Sequence, residues 1–415
     1  MSYVSGSKTY DYGIHASRPD VPPSLSSSVL PRPINSQVQI VSLSSSSGSQ
    51  QASGLITFQI PTGASAGYLK NNSLYLKARV KLNNAGVLTT LASFQQKSKS
   101  GSSIINRLTV SIGGTQISQI TNYQYLHEML LVHTTSFNYY TNDSSIMQYT
   151  GVDAFAAGAA ANAYVDIVIP LICPLWNGSK SLPLFLLNSP IKVDIDLNSV
   201  NSAFFSATAG DFTNYTVENA QLVYEQLQVD ADFTNEVKMA MMQGSLYQLN
   251  LNDFMTLTTS STQSLNYQIG TNLSSVRGVL FTQVLSTPTK ATLSALAANT
   301  QTNARVFMDG RQINNFNLDN VAQQYAEMNR ALGNLFDSNI TTATNRADYL
   351  ANDYVGGIST NKVSDQFAMT GTKCQNINLQ LDSAGSSVNP FSTYIVVLYD
   401  RILTIDAAGV CGLIQ

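Results

Sequence analysis

The chain has 415 residues, with 22 Lys and Arg against 25 Asp and Glu, a formal net charge of −3, and only 11% charged residues. An average soluble protein carries about 25%, so polarity here comes from Ser, Thr, Asn and Gln, and the surface repels copies of itself weakly. This balance excludes a strongly basic nucleic-acid binder, because each phosphate contact needs a cation, and the length suits two all-β domains of about 200 residues each.

Residues 1–37 are rich in Ser, Pro and Gly, and their only cations are Lys8, Arg18 and Arg32. A basic genome-binding tail is therefore not expected. Five of the twelve prolines fall in SRPDVPPSLSSSVLPRPINS. Proline fixes φ and removes a donor, so the segment reads as an extended arm, with Val21, Leu25, Val29 and Leu30 available for docking. The opening MSYVSGSKTYDYG lacks the apolar run of a signal peptide. No stretch of about 18 apolar residues occurs, so no membrane span is expected.

From there the chain reads as strands. Apolar and polar residues alternate over 55–60 (LITFQI), 74–82 (LYLKARVKL), 108–112 (LTVSI), 164–169 (YVDIVI), 191–197 (IKVDIDL) and 220–229 (AQLVYEQLQV). Such alternation buries one face of a strand and wets the other. A second set follows at 246–257, 265–269, 276–285, 305–308, 377–381 and 394–405. Two segments have helical spacing instead. In 123–133 the residues Tyr123, Leu126, Met129 and Leu130 share a face, with Asn122 placed to cap. In 320–335 the residues Val321, Tyr325, Met328, Leu332 and Leu335 share a face, with Asp319 as N-cap and Gly333 near the end.

The two sets are related. VSIGGTQI at 110–117 aligns with VFMDGRQI at 306–313, with identical Val, Gly, Gln and Ile. A Gly-Gly or Asp-Gly pair between alternating residues signals a tight hairpin, whose two central positions favour φ > 0. QYLHEM at 124–129 then matches QYAEM at 324–328. TFQI at 57–60 resembles NYQI at 266–269, and NNSLYLKARVKL at 71–82 resembles TNLSSVRGVLF at 271–281. LVYEQLQVD at 222–230 resembles VLYDRILTID at 397–406. The shared order implies a whole domain copied once. The division is an arm at 1–37, a first domain at 38–231 and a second at 232–415.

The residues offer little chemistry. The three histidines are His15, His127 and His133, and the last two are six apart, a poor spacing for one helical face. Cys173, Cys374 and Cys411 are odd in number and far apart, and read as reduced and mostly buried. HExxH, CxxC, GxSxG and P-loop patterns are missing. Asp194 and Asp196 lie two apart on one strand face, which reads as solvated surface rather than a glycosidase pair. No catalytic, cofactor-binding or metal-ligating residue is nominated, no cofactor is expected, and the chain reads as a non-enzyme.

Two tandem all-β domains, each with a helix after a Gly hairpin, resemble the double jelly-roll major capsid proteins of icosahedral DNA viruses. The similar stretches are LPLFLLNSPIKVDIDLNSVNSAFF (182–205), NYTVENAQLVYEQLQVD (214–230) and NRLTVSIGGTQISQITNYQYLHEML (106–130), and the resemblance spans about 38–406. It implies an all-β fold of two tandem eight-stranded antiparallel jelly-roll sandwiches with short helices and long inserted loops. It further implies a homotrimer of pseudo-hexameric shape that tiles an icosahedral shell with neighbouring capsomers. Penton and minor capsid proteins become expected partners, and the arm would run along the inner face, toward an inner membrane or a neighbour. No sequence-specific nucleic-acid contact is implied. The protein would be made in the host cytoplasm and reside in the virion. Inserts at 84–103, 135–160, 286–303 and 337–366 become candidates for towers and intersubunit clasps. The competing readings are a trimeric jelly-roll receptor- or glycan-binding virion protein, and a two-jelly-roll glycan hydrolase, which would need a convergent acid pair.

Overall fold

Period-two alternation governs the molecule, with apolar side chains turned between sheets and polar ones outward. The structure, a computed structural model, describes residues 36–414 except 85, 179, 209–211, 245, 262–263, 287, 299–300, 314–317, 334–343, 361–370 and 384–390. The arm up to residue 35, with His15, and the helical position Leu335 lie outside the described residues. So does much of the 337–366 insert.

The first half lays down β1 (Ser36–Ser44), β2 (Leu55–Ile60), β3 (Tyr75–Asn83), β4 (Ile105–Ile112), β5 (Thr115–Thr121), β6 (Tyr164–Pro170), β7 (Ile191–Leu197) and β8 (Asn214–Val229). β1 pairs with β8, β8 with β3, and β3 with β6, all antiparallel. In the facing sheet β2 pairs with β7, β7 with β4, and β4 with β5. Numbered along the chain, the sheets run 1-8-3-6 and 2-7-4-5, which is jelly-roll connectivity. β3 shows the cause: Leu76, Ala78, Val80 and Leu82 are buried between the sheets. On its outer face Arg79 pairs with Asp166 at 2.9 Å and Lys81 with Glu218 at 3.7 Å.

The second half repeats the pattern with β9 (Tyr247–Ser261), β10 (Leu265–Leu285), β11 (Gln301–Met308), β12 (Arg311–Gln312), β13 (Gly356–Ser359), β14 (Thr372–Ser383) and β15 (Phe391–Ile405). Separate strands at 265–269 and 276–285 were expected; they are one strand, β10, that serves both sheets. Its first part pairs with β14 from Leu265↔Leu381, and its last part with β15 down to Leu285↔Phe391, with register shifts between Gly270 and Val276. Bulges of this kind bend a strand and let it change sheets. Ser275 stabilises the bend: its hydroxyl donates to Asp400 Oδ2 at 2.7 Å and accepts from the Gly371 N–H at 2.8 Å. Split at the bend, the sheets are β9-β15-β10-β13 and β10-β14-β11-β12. This is the connectivity of the first half, with a short β16 (Cys411–Ile414) added on β15.

The matched sequence pairs occupy matched places. VSIGGTQI and VFMDGRQI form the β4–β5 and β11–β12 hairpins, and Gly113, Gly114, Asp309 and Gly310 have φ of 56°, 85°, 49° and 80°. Each hairpin leads to a helix, α1 (Tyr123–Thr134) in the first half and α3 (Val321–Leu332) in the second. Both expected caps need correction. Asn122 is left-handed (φ 49°) and makes no capping bond; its amide donates instead to Thr258 Oγ1 at 2.9 Å. The cap of α3 is Asn320, not Asp319, because Asn320 Oδ1 accepts from the Gln323 N–H at 2.8 Å. Gly333 closes α3 at φ 82°. Between β8 and β9 lies an unanticipated helix, α2 (Ala231–Met242), whose one buried residue is Met241. A short α4 (Arg346–Ala351) follows α3. β1 begins at Ser36, inside the end of the segment expected as the arm.

Candidate functional site: the seam between the sandwiches

The polar side chains most deeply engaged lie where the two halves meet. β5, at the edge of one sheet, runs beside β9. In β9, Asp253 falls in phase with Leu249 and Leu251, so the strand's own alternation drives a carboxylate inward, where it is 2% exposed. In β15, Arg401 is in phase with Leu403 and Ile405 and meets it. Asp253 Oδ2 accepts from Arg401 Nη1 at 2.8 Å and from the Tyr399 hydroxyl at 3.0 Å. Its Oδ1 accepts from Ser118 Oγ of β5 at 2.9 Å and from the Phe254 N–H at 2.8 Å. Arg401 also donates to the Ile117 carbonyl at 3.0 Å. A buried ion pair is tolerated only when its remaining hydrogen-bonding capacity is used, and this carboxylate accepts four bonds. Next along the seam, the Thr121 N–H donates to Thr256 Oγ1 at 2.9 Å, and the Tyr394 hydroxyl donates to the Thr121 carbonyl at 3.1 Å.

A second junction closes the far side. The segments 84–103 and 286–303, both candidates for towers and intersubunit clasps, contact each other within one chain. The Ser294 N–H donates to the Gln95 carbonyl at 2.9 Å and the Lys97 N–H to the Ser294 carbonyl at 2.7 Å. Gln95 Nε2 donates to the Thr289 and Thr292 carbonyls at 3.1 and 2.6 Å. Lys290 Nζ donates to the Phe212 carbonyl at 2.6 Å and lies 5.0 Å from that ring's centroid.

α1 sits at this junction. His133 Nε2 donates to the Asp353 carbonyl at 2.8 Å, and its ring lies edge-on to Tyr349. Burial pushes His127 and His133 down to about 4, so both are neutral at physiological pH. Glu128 Oε1 accepts from the Ser98 N–H at 3.2 Å, and burial pushes its carboxyl up to about 8. Asp353 is raised to about 6, again mainly by burial. A neutral Glu128 suits this closed packing, since an ionised carboxylate there would be desolvated.

The remaining sequence candidates lie elsewhere. Asp194 and Asp196 do face outward on β7, but each is paired, with Lys192 and Arg107 respectively. Cys173, Cys374 and Cys411 are free and buried. Among the described residues, no three His, Cys, Asp or Glu side chains gather as a metal-binding group. No described helix is long and apolar enough to cross a membrane. Beside the seam lies a cleft of about 670 Å³, lined by Arg107, Asn122, Asp196, Thr258, Ser286 and Ser392 among others. The Asp253–Arg401 pair was missed from sequence, although a signal existed: each charge stands in the buried phase of its strand.

No protein-family model matches the sequence and no curated protein matches it. Solved structures do match. VP54 of PBCV-1, as fitted into a reconstruction of the virophage Sputnik, superposes with TM-score 0.61 at 13% identity, over 94% of this chain and 99% of that one. The Faustovirus major capsid protein gives 0.61 at 8% identity, over 91% and 92%. The mavirus major capsid protein gives 0.53 at 11% identity, over 91% and 90%. At these identities the likeness establishes the fold.

Proposed function

We propose that this chain, which has the double jelly-roll fold of viral major capsid proteins, is itself a structural capsid subunit. The observation that carries the reading is the repeated connectivity: two sandwiches of one topology, joined by a buried seam in a single chain. One copy then presents two similar lobes in fixed relation, and three copies present six. We propose a homotrimeric, pseudo-hexameric capsomer that tiles an icosahedral shell. Residues 1–37 would serve as the arm, 38–231 as the first jelly roll and 232–415 as the second. Neighbouring capsomers, penton and minor capsid proteins, and an inner membrane reached by the arm are the proposed partners. Host cytoplasm is the proposed site of synthesis, and the virion the destination.

Low surface charge supports dense packing of like subunits, and many weak lattice contacts act together through multivalency. A non-enzymatic role goes with this reading, in keeping with the major capsid proteins whose fold the chain shares. The test is sizing with negative-stain imaging of the purified protein. Compact trimers of six-lobed outline are expected, and monomers under all assembly conditions would refute the reading. The hydroxyl- and amide-lined cleft favours a second reading, a receptor- or glycan-binding virion protein. Glycan-array binding lost on Arg107→Ala would support it.

A further inference from the structure

Among the described residues, β1 is bare on one side. It pairs with β8 residue for residue from Ser36↔Val229 to Ser44↔Gln221 without a register shift, and no other described strand pairs with it. Val38 and Ile40 share one face and are 52% and 71% exposed. A native edge strand is ordinarily protected by charge, proline, a bulge or a cover. SQVQIVSLS has no charge and no proline, and its register is free of bulges, so a cover is the remaining device. Uncharged alternating segments of this kind also pair readily with further strands.

The chain that leads into β1 supplies a candidate. Residues 1–18 contain no proline, and Tyr10, Tyr12 and Ile14 alternate with Asp11 and Gly13. Residues 15–35 hold five prolines and no glycine. Pro31 and Pro33 stand where an immediate hairpin partner of β1 would have to donate. The 21-residue tether spans about 65 Å when extended at about 3.1 Å per residue. A four-stranded sheet is only about 20 Å wide at about 4.8 Å per strand. That reach is about three sheet widths, long enough to place residues 10–14 on a neighbouring copy.

We propose that residues 10–14 of one copy add as a strand to the free edge of β1 in a second copy, laying Tyr10, Tyr12 and Ile14 over Val38 and Ile40. The proposal rests on the self-assembling reading above. Main-chain pairing gives the affinity and the alternate side chains give the register.

The test co-expresses two differently tagged full-length chains, one with Val38→Cys or Ile40→Cys and the other with a cysteine at 10, 12 or 14. The native cysteines are buried. After assembly and mild oxidation, a disulfide-linked pair bearing both tags is expected in most chains. Chains lacking residues 1–18 should melt like the parent yet scatter several-fold more light on standing, and Ile40→Lys should suppress that scatter. Oligomers by sizing with no mixed pair at any of the six combinations would overturn the proposal and leave the capsid reading standing. So would a bridge that forms only within a Val38→Cys/Tyr12→Cys chain. Flotation of the unlinked protein with phosphatidylglycerol vesicles, abolished by Ile40→Lys, would assign the edge to lipid and overturn it too. Monomers throughout would overturn both readings.

Discussion

Asp253 accepts four hydrogen bonds at the seam, so its removal exposes the difference between a pair and half a pair. Asp253→Asn keeps the shape but leaves the Arg401 guanidinium, whose side chain is 11% exposed, without its counter-charge. Breaking one side of a buried pair costs about 3–5 kcal/mol, whereas replacing both sides by apolar groups is often neutral. Urea denaturation should therefore show a large loss for Asp253→Asn and a smaller one for Asp253→Leu combined with Arg401→Met. Glu128 makes a prediction about pH. Its folded pKa of about 8 stands above the ordinary glutamate value of 4.5, so its contribution is fully present below about 4.5 and is lost as pH rises toward 8. The slope is about 1.4 kcal/mol per pH unit within that window. Wild type should lose stability between pH 5 and 8.5 relative to Glu128→Gln, compared by denaturant midpoint. His127 and His133, pushed down to about 4, act in the opposite sense at lower pH and cancel in the comparison.

At the scale of elements, the caps distinguish the two helices that follow the hairpins. Asn320→Ala should cost about 1 kcal/mol, the usual value of a side-chain N-cap, while Asp319→Ala should cost little; thermal melts of the two variants decide it. The strands at 55–60 and 191–197 were legible because one face meets the core and the other meets water. The hairpins were legible because Gly114 and Gly310 adopt backbone angles that few other residues tolerate. β1 was not legible: its residues 36–40 are exposed on both faces, so burial leaves no clear period. The continuous β10 was hidden because GTNLSS at its bend lacks alternation, and α2 because it buries only Met241. The partnership of the two inserts is non-local, and pairwise contacts so distant in sequence leave no periodic trace. The Asp253–Arg401 pair left a phase signal, but phase names neither partner nor the strand across the seam.

For the whole molecule, the question is whether the halves are held by the chain or by their contacts. α2 is the one continuous link between β8 and β9, and it is largely exposed, with Met239 at 60% and Met242 at 76%. The seam and the interlocked inserts, by contrast, bring residues far apart in sequence into contact at both sides of the junction. Buried apolar residues of the two halves also form one contiguous cluster. Separating the halves would strip water-excluded groups of their partners, including Asp253, Gln95 and His133. Each such orphaned group costs about 1–3 kcal/mol, and several would be orphaned together. A specific protease site placed between Lys238 and Met239 should therefore cut cleanly yet leave the two fragments eluting together at the size of the uncut protein. They should part only in denaturant, at a midpoint lowered by Asp253→Asn. Fragments that separate under native conditions would mean that the link, and not the seam, fixes the relation of the two lobes.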